Sequence, residues 1–323
     1  MSAVNAYLHS ISRTVKTETL TRGDMGELMA EDDWRQVFNT LKEKEYIDEI
    51  PATLEEGERI IIDRQTRVME KLMGYSYNSK ISKDITSLYL YDMMLDEFKN
   101  IVTSVYNKRQ LNGLKFHREL SKFNEGIPSS EEELRSAING TIFGNAYNFA
   151  SSYGYKNVTQ LLSLLDLYFI YRISSIIETL RGDWKMAAKS IVCGYQDYYA
   201  LSLATYQAMV TKNLCETNEE LIKDLASTDY KGKTEVLRRF EPVKSISSKS
   251  APEILSKILN RARKMARKNS LNVFMGQTFS PVIVMAASEM LRLDKGDILA
   301  IANGKKLKLS NSLIQELVSY DLV

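Results

Sequence analysis

Two cysteines and two histidines in 323 residues are too few for a disulfide framework or a zinc site. Cys193 and Cys215 are scattered, as are His9 and His117, so the chain is expected to be intracellular and metal-free. A serine or cysteine nucleophile would need a histidine base, and neither histidine stands in a recognisable setting for that role. Only five prolines and fifteen glycines interrupt the chain, which favours long helices over a many-turned sheet. No glycine-rich phosphate loop, dinucleotide fingerprint or His-Glu-x-x-His pair occurs. The opening, Met1 to Tyr7, has neither a basic head nor an apolar stretch, so no secretory signal is expected.

Long uncharged runs are equally scarce. Residues 191–210 come nearest, but Gly194, Gln196, Asp197 and Gln207 suit hydrocarbon poorly, and the apolar run 158–180 contains Asp166 and Arg172. Both runs are expected as helices buried between other helices, with no membrane span.

What is abundant is charge, unevenly distributed. Between Glu27 and Glu58 eleven acids face three bases, whereas between Lys231 and Lys268 twelve bases face three acids. The near-neutral total of +2 hides this polarity, which can steer a charged partner. Apolar residues at 44 % and charged residues at 26 % are otherwise ordinary for a globular chain.

Helical periodicity dominates, and the fold class is all-α. From Glu253 to Lys268, Ile254, Leu255, Ile258, Leu259, Ala262, Met265 and Ala266 form one stripe. Ser250 can cap that helix, with Pro252 in its first turn and Glu253 three residues after the cap. Its bases Arg261, Arg263, Lys264, Arg267 and Lys268 are expected to project outward as a partner-binding face. A second start lies at Ser129–Glu133, whose acids complement the positive end of a helix dipole. Breaks are expected at 124–130, 227–233, 242–252 and 275–281.

One short pattern recurs about every hundred residues: an acid, then a small or polar residue three positions on, then a branched apolar residue. The copies are Glu97, Asn100 and Ile101; Asp197, Ala200 and Leu201; and Asp294, Asp297 and Ile298. Lys108 and Lys305 each follow the first and third acids by eleven positions. Three apart on a helix, the paired residues share a face and can bond to neighbouring turns or to the next domain, so these positions are expected to be structural. Asp92, Asp96 and Glu97 could also be taken as a magnesium cluster of the kind used on diphosphates. That chemistry needs a second acidic cluster, and Asp32 and Asp33 do not continue into one.

The ends of the chain carry a resemblance. Ala6, Tyr7 and Leu8, followed by Arg13, Lys16 and Leu20 and then by the Leu41–Tyr46 segment, resemble the opening of the C subunit of the archaeal-type (V/A-type) rotary ATPases. The recurring acid pattern is similar to the repeats of that family, which run from an acid through asparagine and leucine to a basic-glycine ending. Glu97 to Lys108 matches it, as does Asp294 to Lys305 with Leu309 and Ile314–Leu317 after it. The middle copy departs with Ala200 where asparagine is usual, and Asn303 stands where the third ending usually has arginine.

The resemblance spans Tyr7 to Leu317 and implies three similar helical domains about a pseudo-threefold axis in a funnel, at residues 1–123, 124–226 and 227–323. It implies a peripheral subunit on the cytoplasmic face of the membrane, seated on the proteolipid rotor ring and receiving the D and F subunits of the central stalk. The eukaryotic counterpart is the d subunit. No catalytic residue, cofactor, metal, nucleic acid or small-molecule substrate belongs to that role. The alternative is a helical-repeat nucleic-acid binder, because the basic run Arg261–Lys268 could track phosphates. It lacks interleaved aromatics, and a pI near 8.2 is mild for that task.

Overall fold

The computed structural model describes residues 3–109, 116–244, 250–276 and 280–321, and among these every regular element is a helix. Short polar caps start many of them. Thr21 accepts from the Asp24 amide while Asp24 reaches back to Thr21, a reciprocal capping box. Asp33 caps the helix Trp34–Glu43, and so belongs to a helix start and to no metal cluster. Thr53, Ser130, Thr141, Asn218 and Ser310 cap their helices in the same way. Ser250 Oγ accepts from the Glu253 amide, as the sequence suggests. All four expected breaks fall between helices, although residues 245–249 and 277–279 within two of them lie outside the described residues.

The chain forms two compact units. The first comprises Met1–Leu90, Ser174–Tyr195 and Leu255–Val323. Its centre is the helix Val282–Lys306, which is buried along most of its length. Ile298, Ile301 and Ala302 of that helix pack with Met25, Leu28, Val37, Phe38 and Leu41 from the N-terminal helices, and with Ile314 and Val318. Leu41 and Tyr46, two residues of the family-like opening, sit in this core, and Arg64 stacks 3.6 Å over the Tyr46 ring. Gly194 lets the backbone of its helix approach Ala262 so closely that a Cβ would stand 3.0 Å from the Ala262 Cα.

The second unit comprises Tyr91–Ile173 and Gln196–Ile254. Phe98, Phe143 and Phe169 form its aromatic core, with ring centroids 4.9 and 6.4 Å apart along the chain of contacts. Lys233 is buried and donates to the carbonyls of Ala204 and Thr205, satisfying the C-terminal end of a helix. Lys99 pairs with Asp166, which accounts for one of the charges inside the apolar run 158–180. The helix Val158–Ile177 is long and apolar enough to cross a membrane by length and composition, and 67 % of its most apolar window is buried within the protein. In 191–210, Ile191, Val192, Tyr195, Leu201, Leu203, Ala204 and Val210 are buried, as expected. Among the described residues neither cysteine is a free thiol.

The hundred-residue repeat reappears in how helices end. The helices Leu95–Asn107, Gly182–Thr205 and Val282–Lys306 are followed by Lys108, Gln207 and Lys308, all left-handed at φ 52°, 66° and 55°. In each case the next amide folds back onto a carbonyl five residues earlier: Arg109 on Ser104, Ala208 on Leu203, Leu309 on Gly304. These are three copies of one helix-terminating motif, in which glycine is usually found at the left-handed position. Glu45 closes the helix Trp34–Glu43 in the same manner, outside that spacing.

A left-handed backbone costs an L-residue about 1–2 kcal/mol, part of which glycine returns through its freer unfolded chain. Lys108→Gly, Gln207→Gly and Lys308→Gly are all at exposed positions. Each is expected to stabilise its own helix end by about 0.5–1 kcal/mol, measured by urea unfolding. A loss of stability at all three would show that the side chains hold these ends by other means.

Candidate functional site

Each repeat acid sits on a helix and points inward, where an ionised carboxylate must find donors. The donors come from backbone. Glu97 accepts from the His117 amide at 3.0 Å and also pairs with the His117 ring. Asp197 accepts from the amides of Cys215 at 2.9 Å and Glu216 at 2.7 Å, and its burial pushes its carboxyl above the ordinary range. Asp297 accepts from the Ser319 amide at 2.9 Å. In every copy, then, a buried acid holds the segment that follows its helix by about two dozen residues or fewer. Such charge-assisted bonds contribute about 1.5–3 kcal/mol each.

The third copy is elaborated. Asp294, one turn before Asp297, accepts from the Leu20 amide at 2.8 Å. Arg267 lies between the two acids, with Nη1 2.6 Å from Asp294 and Nη2 3.1 Å from Asp297. Its Nε donates to the Ser319 hydroxyl at 2.9 Å, which in turn donates to Asp297 at 2.5 Å. The Tyr320 ring covers the guanidinium at 4.3 Å, and its hydroxyl donates to the Leu20 carbonyl. Arg263 completes the group, donating to Asp297 at 2.7 Å and to the Leu317 carbonyl at 2.8 Å. Two acids and two guanidinium groups balance. Asp294 and Asp297 are fully buried and Arg267 is 2 % exposed.

Burial shifts the titration of this cluster. It pushes the Asp294 carboxyl up to about 6 against the pull of Arg267. The Arg267 guanidinium is held above its ordinary range by the two aspartates, which outweigh its own desolvation. Burial raises the Tyr320 hydroxyl to about 12, with Arg267 opposing.

These positions correct two expectations. The bases of the helix Ala251–Gly276 do not all project outward: Arg267 is interior because the neighbouring buried aspartates require a cation. Arg263 is tied to Asp297, and Lys264 pairs with Asp321 at 2.5 Å. Arg261 is half-buried, and only Lys268 of the five is fully at the surface. Asn100 does not share the inward role of Glu97 and is exposed. In the third copy the anchoring falls to Asp297 as well as Asp294, and Asp297 stands 100 residues after Asp197 as Asp197 does after Glu97. Among the partners of this cluster, Leu20 belongs to the family-like opening, whereas Ser319 and Tyr320 carry no motif of their own.

The proposed magnesium trio also separates, since Glu97 turns to His117 while Asp96 stays at the surface, 3.9 Å from Lys99. Among the described residues no three His, Cys, Asp or Glu side chains are placed to hold a metal ion. The arrangement is suited to binding chain segments together rather than to binding a substrate.

Compared with known families, the chain matches the model of the ATP synthase (C/AC39) subunit over residues 8–317. No curated protein matches it significantly.

Removing Arg267 would leave two buried carboxylates without their shared cation. Arg267→Ala is expected to destabilise the protein by about 3–5 kcal/mol, the range for breaking a buried charge pair from one side. Chemical denaturation checks this, and a loss below about 1 kcal/mol would contradict it.

Asp294 also sets a pH dependence. Its folded value near 6 lies above the unfolded value of about 4. Its contribution to stability is therefore complete below about pH 4 and is lost as pH rises through about 6. Acidification from about pH 7 to about pH 5 is expected to raise the melting temperature of the wild type relative to Asp294→Asn. A constant gap between the two across that window would refute the assignment.

Proposed function

Because the chain belongs to the ATP synthase (C/AC39) subunit family, we propose that it is the non-catalytic adaptor of a rotary ion-translocating ATPase. In this reading it sits peripherally at the cytoplasmic face of the membrane, seated on the proteolipid ring. It receives the D and F subunits of the central stalk and transmits torque between stalk and ring. The observation that carries the proposal is the family match along nearly the whole chain. The thrice-used helix ending and buried-acid anchor support a threefold construction, with repeats at 1–123, 124–226 and 227–323 about a pseudo-threefold axis.

Torque transmission calls for a body that resists shear, and a buried acid that clamps the backbone of a following segment supplies local rigidity. The interior position of Arg267 removes it from any phosphate-tracking surface, which weakens the nucleic-acid reading. Among the remaining bases, Arg261, Lys264 and Lys268 are the proposed contact for an acidic surface of the stalk. Clusters of one sign raise encounter rates more than final affinity.

A tagged chain isolated from native membranes is expected to bring down the ring proteolipid with the D and F subunits. Recovery of the chain with none of them would overturn the proposal. In the same experiment Lys264→Glu with Lys268→Glu is expected to recover less stalk at low salt, the deficit closing as salt rises and screening shortens the field. An unchanged recovery at low salt would remove the basic helix from the interface while leaving the adaptor role intact.

A further inference from the structure

Three tyrosines of the first unit are exposed. Tyr7 is 47 % exposed, Tyr75 42 % and Tyr77 74 %. Tyr7 comes from the helix Ala3–Thr17 and meets the edge of Tyr75, the last residue of the helix Leu54–Tyr75, at 6.4 Å. Two residues on, Tyr77 sits under the Lys83 ammonium at 5.2 Å. Lys71 and Lys80 are exposed beside them. Neither contributing stretch contains an acid: residues 1–17 carry Arg13 and Lys16, and residues 71–83 carry Lys71, Lys80 and Lys83. Glu70 and Asp84 bound the second stretch from outside.

Burial does not account for this patch, because folding leaves nearly half of Tyr7 and Tyr75 and most of Tyr77 in water, whereas Tyr46 and Tyr89 of the same unit are buried. Tyrosine has an apolar ring and a polar tip, the combination that settles at the headgroup level of a bilayer. Basic side chains that outnumber the acids beside them, here Lys71, Lys80 and Lys83 against Glu70 and Asp84, are drawn to an anionic leaflet, by about 1 kcal/mol or fivefold for each lysine near the surface.

We propose that the Tyr7–Tyr75–Tyr77 patch, with Lys71, Lys80 and Lys83, contacts the anionic phospholipid headgroups of a bilayer. The contact is shallow and reversible, since tyrosine tips and lysines anchor weakly and nothing in the patch penetrates the acyl core. It rests on the adaptor reading only in that this reading brings the chain close to a membrane. As a function it is distinct from holding a ring or a stalk, and it orients the subunit over lipid.

The test uses the full chain and protein-free vesicles at low salt, so it is independent of whether ring and stalk are captured. Cosedimentation is expected with vesicles containing phosphatidylglycerol and to be at least fivefold weaker with pure phosphatidylcholine. Lys80→Glu with Lys83→Glu is expected to lower binding tenfold or more, and Tyr75→Ala with Tyr77→Ala to lower it severalfold, the melting temperature staying near that of the wild type. The matched charge change, Lys264→Glu with Lys268→Glu, is expected to leave binding within twofold of wild type. Free inorganic phosphate is expected to compete no better than chloride at equal ionic strength.

Equal binding to both vesicle types overturns the proposal, as does indifference to the tyrosine and lysine variants. Specific competition by phosphate, or tighter capture of a single-stranded oligonucleotide through the same residues, overturns it as well. Absence of vesicle binding overturns it without touching the adaptor role, which is read from ring and stalk recovery.

Discussion

The balance of charge around Arg267 is the constraint on which the first unit depends. The helix Val282–Lys306 is buried along most of its length yet carries two aspartates, and an isolated carboxylate cannot stay ionised in such surroundings. One guanidinium fork answers both acids, and the hydrogen bonds left over take up Leu20, Ser319 and Leu317. The cation therefore lets polar groups achieve what apolar packing could not: it fixes which segments meet, and in what register. Apolar contacts such as those of Phe38 with its neighbours supply bulk stabilisation but tolerate exchange among similar side chains.

Much of the architecture was legible in the sequence. The apolar stripe of the helix Ala251–Gly276 and its Ser250 cap follow directly from the spacing of side chains. The scarcity of proline and glycine pointed to the helical class, and the four breaks fall where turn-forming residues cluster. Helix ends were less visible. Glycine normally marks the left-handed residue after a helix, whereas Lys108, Gln207 and Lys308 occupy it here, so no residue type announced the repeat at the backbone level.

The site was half legible. The acids at 97, 197 and 294 stood out by their spacing, but their partners are backbone amides, which leave no trace in a sequence. Arg267 was misplaced for a different reason: a run of bases on an amphipathic helix normally covers a wet face. The corrective signal lay elsewhere, in Asp294 and Asp297 near the middle of a helix rich in apolar residues, which when buried require a cation from a neighbour. Asn100 was grouped with Glu97 by spacing alone, yet a difference of three positions on a helix still turns one side chain inward and the other toward water.

The bond from the Tyr320 hydroxyl to the Leu20 carbonyl joins residues 300 positions apart. During synthesis from the N-terminus, the Leu20 segment is made long before Asp294, Ser319 and Tyr320 exist to receive it. The first unit cannot complete this contact until the Tyr320 segment has been made, whereas the second unit lies wholly within the intervening sequence and can close sooner. The Leu20 contact thus depends on residues made about 300 positions later, after every residue of the intervening second unit. For a subunit of a larger complex, this arrangement makes the segment around Tyr320 the condition for closing the first unit around Leu20.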